Sequence, residues 1–156
     1  MIKIVTGKIN SFKTTRLLNL YRKDQLGGGF VAIKKMNNDL VFGYWLMNLQ
    51  TEEMIPYIIR DIYHQNDKEI KYQIGPYRFY KDAFDYIDIL IEDLLEKNLS
   101  PVYLDEISIL ELQGEGLYGV MEKLLLRRID LVIVVRTDLL ERVIEYFKIS
   151  DYQIIE

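Results

Sequence analysis

The hydrophobic pattern changes period repeatedly along the chain. Ile2-Lys3-Ile4-Val5-Thr6 is a short apolar run ending at Gly7, and Leu17, Leu18 and Tyr21 then recur at helical spacing. The spacing predicts a strand, a loop and an amphipathic helix over 1–23. Gly27-Gly28-Gly29 interrupts the pattern as a turn before a strand over 30–34. Residues 39–48, rich in β-branched and aromatic types, predict a partner strand joined through an Asn37-Asn38 turn. A short helix is expected over 54–63 and a short strand or hairpin over 72–79. The clearest helix covers 81–98: Ala83, Phe84, Ile87, Leu90, Ile91, Leu94 and Leu95 share one face, and Asp82, Asp85, Asp88, Glu92, Asp93 and Glu96 lie largely opposite.

The second half alternates more plainly. Pro101 marks the start of a short strand over 102–104, and Val120, Met121, Leu124 and Leu125 predict the inner face of a helix over 117–128. Leu131-Val132-Ile133-Val134-Val135 is nearly continuous, as in a central parallel strand buried on both faces. Thr137 or Asp138 can cap a further helix, and 152–155 adds an edge strand. Strands alternating with helices predict one α/β domain over 1–156, a mainly parallel central sheet flanked by helices, with ligands at the carboxyl ends of the strands.

Candidate chemistry concentrates at two such ends. Gly7-Lys8-Ile9-Asn10-Ser11-Phe12-Lys13-Thr14-Thr15 has the spacing of a phosphate-binding P-loop (Walker A), G-x-x-x-x-G-K-[ST], with Phe12 where the second glycine belongs. In such a loop backbone N–H groups and a helix N-terminus face the phosphates. Lys13 would reach the β- and γ-phosphates, and the Thr14 hydroxyl would ligate Mg²⁺. Asn10 tolerates a left-handed conformation, whereas a bulky Phe12 there is strained by about 1–3 kcal/mol. Taken alone, these residues also suit an ordinary strand–turn–helix junction.

The strand over 102–104 ends in Asp105-Glu106, which looks like a Walker B element. Asp105 would hold Mg²⁺, and Glu106 would orient and deprotonate the attacking water, a role that needs hydrogen-bonding reach. Arg136, closing the central strand, could sense γ-phosphate charge.

Asp105-Glu106-Ile107-Ser108-Ile109-Leu110-Glu111-Leu112 resembles the D-E-I-G-x-[ML]-E-L signature of the THEP-type nucleoside triphosphatases, small single-domain P-loop proteins. Gly29-Phe30, Gly75-Pro76-Tyr77 and the strand ending at Arg136 are similar to further segments of that family, in the same order. The resemblance implies a three-layer, RecA-like P-loop fold and Mg²⁺-dependent hydrolysis of ATP, GTP or other nucleoside triphosphates. Asn10 and Phe12 replace two loop glycines of the family pattern, and Ser108 replaces another.

Composition narrows the alternatives. The chain has 156 residues, 49% hydrophobic and 28% charged, which suits one domain. A net charge of −4 disfavours general nucleic-acid binding, and the lack of cysteine excludes disulfides, thiolate metal sites and a cysteine nucleophile. No run approaches the roughly 18 apolar residues of a membrane span, so the expected location is cytoplasmic. Three functions fit: a triphosphatase, a nucleotide-binding scaffold of the same fold without turnover, and a small kinase. The segment 114–119, where a kinase would carry arginines, has none. A homo-oligomer or a protein partner is compatible with each.

Overall fold

The computed structural model describes the whole chain, residues 1–156. Strand β1 (Ile2–Gly7), a loop and helix α1 (Lys13–Asp24) open the fold, followed by β2 (Gly28–Asn37). Four strands then succeed one another: β3 (Leu40–Asn48), β4 (Met54–Arg60), β5 (Ile70–Ile74) and β6 (Tyr77–Tyr80). Helix α2 (Lys81–Glu96) leads to β7 (Val102–Leu104) and two short helices, α3 (Ile109–Leu112) and α4 (Tyr118–Leu126). Strand β8 (Leu131–Arg136), helix α5 (Leu140–Tyr146) and β9 (Tyr152–Ile155) complete the chain.

All nine strands join one sheet in the order β5-β6-β4-β3-β2-β7-β8-β1-β9. From β2 to β9 the neighbours run parallel. The other half, β3, β4, β6 and β5, is an antiparallel ribbon added to β2. The sheet is therefore mixed, and the expectation of a mainly parallel one is corrected. The reason is local: only Asn38 and Asp39 separate β2 from β3, with Asn38 at φ 57°, whereas a parallel return needs a crossover of a dozen or more residues. That turn lies one residue later than the sequence pattern suggested.

Residues 54–60 form a strand followed by a short 3₁₀ turn, Asp61–Tyr63, in place of the expected helix. Ile55, Tyr57, Ile58 and Ile59 favour a pleated, half-buried surface, and Pro56 cannot donate a helical hydrogen bond. Pro56 sits where the β3–β4 register shifts, as prolines within sheets tend to. Gly28 and Gly29 pair with Val102 and Tyr103 at the amino end of the parallel strands, opposite the loop between β1 and α1.

Helices cover both faces of the sheet. Leu17 of α1 packs with Val5, Val31, Tyr103, Val132 and Val134 on one face. On the other, Phe84, Ile87, Ile91 and Leu94 of α2, Met121 and Leu124 of α4 and Val143 of α5 pack against Ile4, Phe30, Leu104 and Ile133. The aromatic middle region is largely core: Tyr57 meets Phe30, Phe79 and Phe84 edge-on at 5.5–6.1 Å. This packing fixes the parallel strands, and with them the ends that carry the candidate chemistry.

Candidate functional site

Helix α1 begins where β1 stops, with no acidic residue in its first turn, so the positive end of its dipole faces the loop uncompensated. Asn10 at φ 60° and Phe12 at φ 62°, ψ 32° take the left-handed conformation expected of the missing glycines. Phe12 is 77% exposed, and Ile9 nearby is 65% exposed. The Phe12 carbonyl accepts the first helical hydrogen bond, from Arg16 N at 3.0 Å. Gly7 lets the Ser11 and Arg16 side chains close in on the backbone: a Cβ there would lie 2.3 Å from Ser11 Oγ and 2.7 Å from Arg16 Nη2, and both would have to move. Ser11 Oγ is buried without a protein partner. Lys8 is exposed, and Thr15 is exposed on the first helical turn.

Lys13 arches back over this loop, its Nζ donating to the Lys8 carbonyl at 2.6 Å. Burial lowers its pKa, Arg16 and Arg136 add to that effect, and the charges of Glu106 and Asp105 oppose it. The lysine thus sits within the field of both candidate carboxylates.

One strand, β8, separates β1 from β7. The gap is bridged by Thr14, whose Oγ1 donates to Asp105 Oδ2 at 2.8 Å. The backbone N–H of Ala32 in β2 donates to the same oxygen, also at 2.8 Å. Asp105 is 2% exposed, and its other oxygen, Oδ1, is buried with no partner. Burial pushes the Asp105 carboxyl up to about 7, against the two hydrogen bonds and the Lys13 charge, while Glu106 pushes it further up. A buried carboxyl oxygen without a partner carries a desolvation cost that a proton or a bound cation could relieve.

Glu106 follows in the left-handed region at φ 62°, with its side chain exposed. Ile107 then returns to the core and donates its N–H to Val134 of β8 at 2.8 Å. Arg136 ends β8 in the register of Gly7. Its guanidinium forks onto Asp138 at 2.5 and 2.9 Å, which raises its pKa. The pairing engages the Arg136 guanidinium, and its charge is felt at Lys13.

Two residues of the site carried no signal in the sequence. Arg16, one turn into α1, donates from Nη2 to the Thr6 carbonyl at 2.8 Å and ties the helix to the end of β1. Lys34 of β2 donates to the Asn10 side-chain oxygen at 3.1 Å, placing a second ammonium on the loop rim. Both contacts join segments whose spacing in the chain has no period.

No known family model matches the sequence, and no curated protein does. Among solved structures, the solution structure of a human cancer-related nucleoside triphosphatase matches 98% of this chain and 86% of its own. The TM-score is 0.65 and the identity 14%. Over nearly its whole length, then, the chain is similar in fold to that human nucleoside triphosphatase.

Proposed function

We propose that the protein binds nucleoside triphosphates with Mg²⁺ and hydrolyses them to diphosphate and phosphate. The observation that carries this reading is the Thr14–Asp105 hydrogen bond, which joins the phosphate loop to the acidic strand tip across 91 residues of sequence. The resemblance to THEP-type triphosphatases and the fold shared with a human nucleoside triphosphatase support it.

The donor set suits Mg²⁺. Asp105 Oδ1 and the Thr14 hydroxyl are hard oxygens on adjoining elements, and no cluster of three or more acidic or imidazole side chains surrounds them. Mg²⁺ bound through one or two protein oxygens and substrate phosphates needs no more. Held by Asp105 and Thr14, the ion would supply positive charge to offset the negative charge that develops on the phosphates.

The chain's own groups would do the rest. Backbone N–H groups of Gly7, Lys8, Ile9, Asn10, Ser11, Phe12, Lys13, Thr14 and Thr15 would cradle the phosphates together with the N-terminus of α1. Lys13 would exchange the Lys8 carbonyl for phosphate oxygens. Thr14 and Asp105 would hold the ion. Glu106, at the exposed edge of the same strand tip, would take the proton of the attacking water. Arg136 would turn from Asp138 towards the γ-phosphate.

Phosphate release from ATP and GTP, measured with and without Mg²⁺, tests the proposal. Release without any added acceptor, lost in Glu106→Gln while Mg²⁺-nucleotide binding persists, is the expected result. Binding without release in the wild-type chain would leave a scaffold, and diphosphate formed only with an added acceptor, the phosphoryl group ending on that acceptor and none released as free phosphate, would make it a kinase.

A further inference from the structure

Glu106 is held in a left-handed conformation that a glutamate adopts only under constraint. Upstream the constraint is Asp105, fixed by Thr14 and Ala32. Downstream it is the pair Ile107 and Ser108. The Ser108 N–H donates to Glu111 Oε1 at 2.7 Å, closing a capping box at the start of α3. The other oxygen of Glu111 accepts from the Leu117 N–H, also at 2.7 Å and fully buried.

Glu111 itself is 4% exposed. Residue 116, against which its carboxylate lies, must be glycine: it sits at φ 62°, and a Cβ there would lie 2.1 Å from Glu111 Oε2. One buried carboxylate therefore staples two backbone segments, the one that carries Glu106 and the exposed turn over 113–116. A cap of a four-residue helix needs no second segment and no deep burial, so helix capping alone does not account for this arrangement.

We propose that Glu111 is a positioning residue that fixes the direction of Glu106 by clamping Ser108 to Leu117. The inference rests on the hydrolytic reading above, because a direction matters only to a group that acts on a water. Both Glu111 oxygens are acceptors here, so a glutamine, with one acceptor and one amide donor, satisfies only one N–H and sets the other against its amide. The segment from 106 to 108 then loses its Ser108 anchor and is left with the Ile107 N–H to Val134 hydrogen bond, while the phosphate loop and Asp105, held by their own contacts, stay in place.

The test compares wild type, Glu111→Gln and Gly116→Ala, the last displacing the same carboxylate without removing its charge. Thermal unfolding identifies folded variants, fluorescent-nucleotide titration gives Kd, and phosphate release gives kcat. Both variants are expected to lose at least tenfold in kcat with Kd within threefold of wild type. Val120→Ala, an ordinary core truncation nearby, controls for a structural effect by lowering Tm without that split. Unchanged kcat in folded Glu111→Gln, or an equal loss in Val120→Ala, overturns the positioning role alone. A wild-type chain that binds nucleotide but releases no phosphate overturns the hydrolytic reading, and the positioning role falls with it. If Glu111→Gln does not fold, Gly116→Ala decides by the same criterion.

Discussion

Phe12 concentrates the conflict between the loop's geometry and its sequence. The chain keeps a left-handed conformation there although a phenylalanine resists it by about 1–2 kcal/mol. With its ring 77% exposed, the side chain returns little packing energy to offset that strain. The strain is borne by the fold, which holds Phe12 left-handed at the start of α1. Phe12→Gly is therefore expected to raise stability by about 0.5–1 kcal/mol, after the greater freedom of glycine in the unfolded chain is subtracted. Chemical denaturation checks the value, and a loss of stability would mean that the exposed ring makes contacts that offset the strain.

Elements place these residues, and the elements that do so were the most readable in the sequence. The run over 130–135 and the helix over 81–98 came from periodicity alone, because a strand buried on both faces and a long amphipathic helix each repeat one environment many times. The two halves of the candidate site could be singled out for another reason: glycine, lysine, threonine and paired carboxylates stand at strand ends in phosphate-loop order, and the structure brings Thr14 and Asp105 together. The antiparallel ribbon was less legible. Residues 54–60 mix aromatic, β-branched and proline positions around a register shift, and a bulge destroys the alternation that identifies a strand. The contacts of Arg16 and Lys34 were invisible, because they follow from which elements meet in space. At this scale α2 supplies packing and no chemistry. Ile87→Ala, at a fully buried position of its inner face, should cost about 2–5 kcal/mol of stability with nucleotide Kd unchanged in the folded protein. Removing the exposed Lys81–Asp85 pair should leave the unfolding midpoint essentially unchanged. Urea titration separates the two, and comparable losses would contradict the assignment of α2 as a core element.

Across the whole molecule, the site imposes a burden on the ligand-free fold. Asp105 and Glu111 are buried carboxyls whose pKa values are both pushed up to about 7 from 3.8 and 4.5. The folded chain thus binds their protons more tightly than the unfolded chain. This contribution to stability is complete below about pH 4 and is lost as pH rises to about 7. Asp105→Asn removes one of the two buried charges and should flatten that decline, raising stability near pH 8 by about 1–2 kcal/mol. Thermal unfolding of both proteins between pH 4 and 8 checks this, and parallel curves would mean that Asp105 does not carry the cost. The central claim is that the loop and the strand tip meet around one metal-bound polyphosphate, and a double-mutant cycle measures that meeting most directly. Thr14→Ala, Asp105→Asn and their combination are compared for ATP affinity with and without Mg²⁺. Ligands to one shared ion should couple by at least about 0.5 kcal/mol with Mg²⁺, and the coupling should shrink when the metal is withheld. Additive effects, or coupling indifferent to Mg²⁺, would contradict a shared metal site.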